Sequence, residues 1–277
     1  MMDDWIDGNP NSNNPIIHLP HQPMNNILSS LTTDFKVRSY EINPDGCVSL
    51  LEICNYLQES AGNHARMLGV AVDQLLEKDM TWVLSRMHVK VAEFPKWGET
   101  VCVKTWPAEV NRLFAIRDFE LCDMQGRQIG AATTAWILVN IAKKRPMRLP
   151  QDIREFHPEK PVRALNDDFP KLPIVESPDH ETDFSVRFAD LDLNRHANNA
   201  AYVKWVLESA PAEILENHRV TELEIEYKNE SVFGEKIRST SALFSSDEPS
   251  STYVHQVFAE EKNIELTRAK TNWKSIE

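Results

Sequence analysis

One ten-residue stretch of the sequence concentrates side chains that can transfer protons or donate hydrogen bonds. Its polar members are Asp190, Asp192, Asn194, His196, Asn198 and Asn199. An imidazole can take a proton from water, a carboxylate can orient that water, and an amide can donate to a carbonyl oxygen that becomes negative when attacked. This combination suits the hydrolysis of a carbonyl compound.

A helix is predicted directly after this stretch, continuing to about Glu216. Apolar residues recur there at steps of three and four, which is helical spacing. They are Val203, Val206, Leu207, Ala210 and Ile214. Asn198 or Asn199 can cap the helix by accepting a hydrogen bond from a backbone N–H group. The polar stretch is therefore predicted to enter a helix N-terminus, where the dipole favours negative charge.

Three other interpretations of the stretch compete with a catalytic role. It could be only a polar turn that caps the helix. The alternation of Asp190, Asp192 and Asn194 also resembles a calcium loop, which needs Gly at its sixth position and Glu at its twelfth. This sequence has Arg195 and Ala201 there, which argues against calcium. A transition-metal site needs more His or Cys than one imidazole, so we expect no metal.

Composition limits the class of protein further. The chain has 277 residues, of which 42% are hydrophobic, enough for a substantial core. Its formal net charge of −12 argues against nucleic acid as a partner. No run approaches the roughly 18 apolar residues of a membrane span. The cysteines form no CxxC pair, which favours reduced thiols and a cytoplasmic location. They are Cys47, Cys54, Cys102 and Cys122.

The first half of the chain is predicted to form one domain, residues 35–142. Residues 1–34 contain no Lys or Arg and are interpreted as a flexible lead-in. A capping box at Ser49 and Glu52 begins a long helix that Gly69 can end. The predicted strands, rich in β-branched and aromatic residues, are 35–43, 82–91, 100–106, 113–122 and 128–140.

A proline-rich segment separates this domain from a second one. Seven of the 16 prolines fall within residues 143–182, which we interpret as a linker. Residues 183–277 then repeat the order of strand, polar loop, helix and strands. The predicted strands of this second domain are 184–188, 221–227, 236–244, 252–260 and 264–275.

The two halves align at an offset of 149 residues, the difference between 207 and 58. Residues 58–61 read Gln-Glu-Ser-Ala, and residues 207–210 read Leu-Glu-Ser-Ala. A repeat of this size implies two similar domains packed together. A long helix against a curved antiparallel sheet, made twice, predicts an α+β double hotdog.

The polar set occurs in only one copy of the repeat. Asp192 falls on Asn43, Asn194 on Asp45 and His196 on Cys47. A single site is therefore expected, in the second half.

Several tracts recur in one family of enzymes. They are T-W-V-L-S-R-M at 81–87, P-K-W-G at 95–98, R-D-F at 117–119, D-L-D-L-N-R-H-A-N-N at 190–199, W-V-L-E-S-A-P at 205–211 and E-Y-K-N-E-S at 226–231. In their order and spacing, from about Phe35 onward, the chain resembles the acyl-acyl carrier protein (acyl-ACP) thioesterases of plants and bacteria. The resemblance implies a double hotdog that hydrolyses fatty acyl-ACP to a free fatty acid, with no metal or organic cofactor.

The resemblance also assigns candidate catalytic residues. The family's catalytic Asp, Asn, His and Glu fall on Asp192, Asn194, His196 and Glu230. Plant members usually carry Cys directly after that Glu, whereas this chain has Ser231. Ser231 is retained as an accessory candidate, together with the backbone at Asn199. The sequence is consistent with attack on the thioester either by water or by a carboxylate.

By the same resemblance, the acyl chain enters a pocket between the first helix and its sheet. Met67, Trp82 and Met87 are candidates to line it, although ordinary core is the more common role for such residues. The basic residues that could dock an acidic carrier protein are Lys143, Lys144, Arg145 and Arg148. An acyl-CoA thioesterase and a non-catalytic acyl-binding module stay as alternatives, and a homodimer is possible.

Overall fold

A computed structural model of the chain describes residues 29–276. Most of the predicted lead-in, residues 1–28, lies outside the described residues. The first strand, β1, covers Leu31–Lys36, so the prediction of a strand at 35–43 was wrong in its bounds. Residues 37–49 form turns instead, and Gly46 there has φ of +78°. A Pro-Asp-Gly turn ends extended structure at this point.

The first half consists of one long helix and an antiparallel sheet. Helix α1 covers Leu50–Met67 and is followed by the short helix α2, Val72–Leu76. Its strands are β2 (Met80–Val91), β3 (Thr100–Asn111), β4 (Phe114–Cys122) and β5 (Gln128–Asn140). Ser49 caps α1, because its side chain accepts a hydrogen bond from the Glu52 N–H group at 3.2 Å. The helix ends next to Gly69, whose φ of +74° suits a glycine.

The chain between β5 and the second half contains little regular structure. It forms the two-residue strand β6 (Arg145–Pro146), which pairs with β5, and the short helix α3 (Gln151–Arg154). The second half begins with β7, His180–Ser185. No helix within residues 29–276 is long and apolar enough to cross a membrane.

The helical part of the second half is shorter than predicted. Helix α4 covers Asn199–Leu207 and a separate helix, α5, covers Ala212–Asn217. The prediction of one helix to about Glu216 was therefore wrong. Pro211 stands between the two helices and lacks the backbone N–H that a continuing helix needs.

The remaining strands of the second half are β8 (His218–Tyr227), β9 (Lys236–Asp247), β10 (Ser250–Ala259) and β11 (Ile264–Ser275). The eleven strands of residues 29–276 join one antiparallel sheet, in which ten follow the order β1-β3-β4-β5-β2-β8-β11-β10-β9-β7 and β6 pairs with β5 outside this order. Read outward from the centre, each half has the same strand order. The halves meet where β2 pairs with β8, with Met87 opposite Ile225 and Val89 opposite Leu223.

The two halves also share a core. Ile53 and Leu57 of α1, Val206 of α4 and Leu223 of β8 are all buried in one apolar cluster. Each half lays its helix against its part of the sheet, and the fold is a double hotdog. The site loop, defined as residues 188–198, therefore connects two elements that are fixed by the same core.

Candidate active site

Backbone hydrogen bonds hold the site loop in a tight turn. Asp192 donates its N–H to the His196 carbonyl at 2.8 Å, and Arg195 donates to the Asp192 carbonyl at 3.0 Å. Arg195 has φ of +62°, in the left-handed region that Gly favours. The Oδ1 atom of Asp192 accepts from the N–H groups of Asn194 at 2.8 Å and His196 at 3.2 Å. One carboxylate oxygen of Asp192 is thus committed to holding the turn.

The loop leads into α4 through a side-chain cap. Asn198 is the cap, because its Oδ1 accepts from the Ala200 N–H group at 3.0 Å. Its own N–H donates to the Asp190 carbonyl at 2.7 Å. Asn199 uses its side chain differently and donates through Nδ2 to Oε1 of Gln58 on α1, at 3.0 Å. The prediction that Asn198 or Asn199 caps this helix is confirmed for Asn198.

His196 and Glu230 lie side by side at the protein surface. The Nδ1 atom of His196 is 3.4 Å from Oε2 of Glu230, and their side chains are 36% and 63% exposed. An isolated β-bridge between His196 and Val232 holds the two chain segments together. The distance is longer than a strong charge-assisted hydrogen bond. It nevertheless places a carboxylate where it can stabilise a protonated imidazole.

Ser231 lies in a different environment from its neighbour Glu230. It is fully buried, and its Oγ lies 3.0 Å from the hydroxyl oxygen of Tyr202. The Ser231 N–H donates to the same Tyr202 oxygen at 2.9 Å. A serine nucleophile needs a base in hydrogen-bond reach, and within residues 29–276 the Ser231 hydroxyl is bonded to Tyr202 only. This geometry gives Ser231 a structural contact rather than an activated hydroxyl.

A cavity of about 280 Å³ lies next to the site loop. Asp192, Asn194, Asn198 and Asn199 form one part of its wall. The apolar part comes from α1, from the first-half sheet and from the segment after β6. Its larger apolar members are Leu68, Val70, Trp82, Trp136, Ile153 and Phe156. A polar loop thus meets an apolar cavity in the first half.

The three residues proposed from sequence to line a pocket have different positions. Trp82 lines this cavity, and its indole N–H donates to the Val70 carbonyl at 2.9 Å. Met67 is the last residue of α1 and is 38% exposed, so it faces away from the core. Met87 is buried in the shared core and does not line the cavity. For Met67 and Met87 the pocket prediction was wrong, because an apolar residue type does not say which side of an element it occupies.

Three polar residues of the cavity wall were not singled out from sequence. They are Gln58, Arg117 and His157. Burial lowers the pKa of Arg117 to about 10 and, with the nearby charge of Arg117, the pKa of His157 to about 4. Arg117 does belong to the R-D-F tract of the family resemblance. Its place in the cavity, however, depends on β3–β4 register and on α1, which no local pattern reveals.

The four basic residues proposed for carrier docking are all exposed. Lys143 and Lys144 form the turn after β5, Arg145 begins β6 and Arg148 follows it. None of them lines the cavity. Met147 and Leu149, which alternate with them, pack into the apolar cluster that contains Leu68 and Trp82. The segment is therefore anchored to the first half with its cations facing outward.

The first half contains the same turn without the polar set. Asn43 donates its N–H to the Cys47 carbonyl at 2.8 Å, as Asp192 does to His196. Cys47 is buried, and the Asp45 carboxylate accepts two hydrogen bonds from Arg219, at 2.6 and 2.9 Å. The one carboxylate in this turn is therefore neutralised. This agrees with a single site in the second half.

Comparison with known proteins identifies the family. Residues 29–157 match the acyl-ACP thioesterase N-terminal domain, and residues 176–275 match the C-terminal domain of the same family. A chloroplastic acyl-[acyl-carrier-protein] hydrolase of Cuphea viscosissima is 31% identical over 254 residues, covering 87% of this chain and 62% of that protein. The chloroplastic oleoyl-acyl carrier protein thioesterase 1 of Arabidopsis thaliana is 34% identical over 227 residues, covering 73% of this chain and 63% of that protein.

A solved structure agrees in both sequence and fold. The 12:0-ACP thioesterase from Umbellularia californica superposes with a TM-score of 0.80 at 30% identity, covering 89% of this chain and 94% of that chain. The chain spans about 62% of the length of the curated relatives it matches first. With both domains matched in order and the full architecture shared, the chain belongs to the acyl-ACP thioesterase family.

Proposed function

We propose that this protein hydrolyses the thioester of fatty acyl-ACP, releases the free fatty acid and so ends chain elongation. The observation that carries the proposal is the position of Asp192 and Asn194 in the wall of an otherwise largely apolar cavity. A fatty chain gains about 0.8 kcal/mol for each CH₂ that leaves water. The cavity supplies that environment, and the site loop supplies the polar groups at its end. Relatives named as acyl-ACP hydrolases support the choice of substrate.

The thioester carbonyl is expected at the mouth of the cavity. Asn194 lines the cavity, whereas His196 does not, and His196 is partly exposed beside it. A carbonyl between these two side chains would place its oxygen near the Asn194 amide and the N-terminus of α4. Donors aimed at the developing oxyanion are typically worth about 10²- to 10³-fold in rate each. The acyl chain would then extend into the first half, and the carrier's arm would leave toward solvent.

His196 is proposed as the general base and acid. It would take a proton from the attacking water and return it to the leaving thiolate, which is worth roughly 10²- to 10⁴-fold. Glu230, at 3.4 Å, would stabilise the imidazolium that forms between these steps. Asp192 would position the loop through Oδ1 and orient the water through its other oxygen. Attack by water is favoured because the Ser231 hydroxyl is buried against Tyr202.

A division of labour between the halves follows from this mechanism. Residues 35–142 would hold the acyl chain, and residues 183–277 would carry out the chemistry, with residues 143–182 connecting them. We also propose that the protein works in a reducing, cytoplasmic compartment, which the four free cysteines support. No metal or organic cofactor has a step in this mechanism. A homodimer stays a prediction.

The proposal is tested by a hydrolysis assay with acyl-ACP and acyl-CoA substrates that carry the same acyl chains. Turnover of acyl-ACP that depends on His196 supports it. Equal or faster turnover of the matched acyl-CoA would assign the alternative carrier. Acyl binding without turnover on either carrier would contradict the enzymatic function and leave the non-catalytic binding module.

A further inference from the structure

The proposed acyl cavity is separated from a second space by a wall one side chain thick. Pro107, Phe156 and His157 line the cavity beside the site loop, and the same three residues line a surface groove of about 540 Å³. We call these three residues the partition. No other residue within 29–276 lines both spaces. A change of one side chain in the partition would therefore join two spaces that the structure keeps apart.

The partition closes the cavity at the end far from the site loop. Gln58 marks the site-loop end through its bond with Asn199. Phe156 packs instead against the apolar cluster that contains Leu68, the residue after α1. Leu68 follows Gln58 by ten residues, which is about 15 Å along the helix at about 1.5 Å of rise per residue. An acyl chain that enters beside the site loop would therefore meet the partition with its methyl end.

Two members of the partition belong to the segment after β6. Phe156 and His157 continue the turn of α3, and their N–H groups donate to the carbonyls of Ile153 at 3.3 Å and Arg154 at 3.0 Å. The buried side chain of Ile153 anchors this turn to the first half. The Nδ1 atom of His157 is buried without a hydrogen-bond partner among the described residues. Either ring can therefore be removed while the turn stays anchored through Ile153.

The groove lies where β3 extends beyond β1. The last pair between these strands joins Leu31 to Thr105, and Pro107 follows at an edge position, where the missing N–H of a proline is tolerated. The Trp106 indole N–H donates to the Val162 carbonyl at 2.8 Å, which leaves the ring as apolar surface. The apolar members of the groove are Trp106, Pro107, Phe156, Pro158 and Val162. Apolar surface is thus present directly behind the partition.

The volume in front of the partition limits the chain that fits there. At roughly 30 Å³ for each CH₂, close to the share of a water molecule in the liquid, a cavity of 280 Å³ corresponds to about nine carbons. Carbons beyond this number would stay in water. Two such carbons correspond to roughly tenfold in relative kcat/KM. The partition therefore acts on longer chains and leaves shorter ones unaffected.

We propose that Phe156 and His157 set the upper limit of acyl-chain length, so that the protein selects acyl groups of about eight to ten carbons. The groove behind them is an unused extension of the acyl cavity. The inference rests on the proposed thioesterase function and specifies its substrate class. It assigns the limit to the segment after β6, whereas α1 and the sheet form the sides of the cavity.

The test measures kcat/KM for saturated acyl-ACP substrates from octanoyl to hexadecanoyl. The wild-type protein should prefer decanoyl to hexadecanoyl by at least about tenfold. Phe156→Ala should remove this preference, because the methyl end of the longer chain then enters the groove. Trp82→Leu is the matched comparison, since Trp82 lines the cavity and not the groove. It should extend the limit by only about two carbons.

A second substitution closes the groove from outside. Val162 lines the groove and not the cavity, and its side chain is 63% exposed. Val162→Trp keeps the backbone carbonyl that Trp106 uses and fills the groove. Combined with Phe156→Ala, it should restore the preference for decanoyl. A double variant that still accepts hexadecanoyl as well as decanoyl would show that the chain does not use the groove, and would overturn the inference.

Two further results would overturn it: a wild-type preference for hexadecanoyl, or a shift in Phe156→Ala no larger than in Trp82→Leu. If Phe156→Ala does not fold, His157→Ala decides by the same ratio. Calorimetric binding of free decanoic and hexadecanoic acids gives a second readout that needs no turnover. Absence of turnover on every chain length counts against the thioesterase function, and the binding ratio then still decides the role of the partition.

Discussion

The side-chain amide of Asn199 donates to the side-chain carbonyl of Gln58 at 3.0 Å, across 141 residues of sequence. Asn199 is the first residue of α4 in the second half, and Gln58 is in the middle of α1 in the first. Both residues line the cavity. This bond directly links the proposed catalytic loop to the helix that lines the proposed acyl chamber.

Replacing Gln58 by Leu should therefore reduce turnover without unfolding the protein. Leu is the residue at the equivalent place of the second half, Leu207, and is similar in size. Loss of one hydrogen bond worth about 0.5–1.5 kcal/mol corresponds to roughly 2- to 12-fold in kcat/KM. Asn63→Ala is the control, since the Asn63 side chain lies on the exposed face of α1 and, among residues 29–276, bonds only Glu59. Equal effects of the two variants would contradict a positioning role for Gln58.

Removing the imidazole should separate catalysis from binding. His196→Ala is expected to lower kcat at least about 10²-fold, while the free energy of unfolding and the affinity for a fatty acid stay close to wild type. The partly exposed position of His196 is the reason to expect a folded variant. Steady-state kinetics and calorimetric binding check both statements. A His196→Ala protein with near wild-type turnover would rule out the proposed base.

Ser231→Ala is the comparison for His196→Ala, at the residue that follows Glu230. It removes a buried contact with Tyr202 and should lower the free energy of unfolding by about 1 kcal/mol. Turnover should be largely retained. A folded Ser231→Ala protein without activity would instead revive Ser231 as a nucleophile.

The repeat explains why much of this fold could be predicted from sequence. The turn at Asn43 and Cys47 and the turn at Asp192 and His196 make the same backbone bond at the same length, 2.8 Å. Local patterns such as helix caps, turns and the alternation of apolar and polar residues along a strand act over a few residues. They are present in both copies of the repeat. The predicted polar loop at a helix N-terminus is therefore present.

Long-range placement could not be predicted in the same way. Pro211 breaks the second-half helix, yet the apolar spacing continues through it and suggested one helix. Met87 and Trp82 belong to one strand, but only Trp82 lines the cavity. The position of Arg117 in the cavity wall depends on how β4, α1 and the segment after β6 pack around it. These features depend on contacts between elements, which periodicity does not specify.

Trp82 should control the length of the acyl chain that the protein prefers. Trp82→Leu removes an indole ring from the cavity wall and should move the preferred acyl chain upward by about two carbons. Each buried CH₂ is worth about 0.8 kcal/mol, so two carbons correspond to roughly tenfold in relative kcat/KM. Met87→Leu introduces the same residue into the core nearby and should leave the preference unchanged. If both variants shift the preference equally, the effect is a general loosening of the core.

His88 should make stability depend on pH. It lies on β2, with Nδ1 2.6 Å from Asp167 and Nε2 2.8 Å from Glu222 of β8. Burial alone lowers the pKa of His88, but the hydrogen bonds to the two carboxylates outweigh it and raise the pKa to about 9. The contribution to stability is therefore complete below the unfolded pKa of about 6.5 and is lost as pH rises through about 9.

The expected magnitude for His88 is about 3 kcal/mol near pH 6.5. Chemical denaturation of wild type and His88→Gln between pH 6.5 and 10 measures it. The difference in the free energy of unfolding should shrink as pH rises. His180→Gln, at an exposed position, controls for histidine loss in general. A His88→Gln difference that stays constant across this range would contradict the ion-pair account.

The last prediction concerns docking of the carrier. Acyl carrier proteins are acidic, and this chain is itself acidic at −12, so attraction must come from a local basic patch. Reversing Lys143, Lys144 and Arg145 to Glu should raise KM for acyl-ACP and leave kcat nearly unchanged, the pattern of lost uniform binding. Wild-type KM should also rise with salt, whose screening length is about 8 Å at physiological strength.

The control for this reversal must carry the same change in net charge. Reversing Lys160, Lys171 and Lys274, all exposed, adds the same negative charge at other places. If both triple variants raise KM equally, the effect is general repulsion, and residues 143–145 have no special role in docking. If neither does while Arg195→Glu in the site loop raises KM, the carrier docks beside the catalytic loop. That outcome would fit a carrier whose thioester-bearing arm enters the cavity at Asn194. It would contradict docking at the exposed segment after β5.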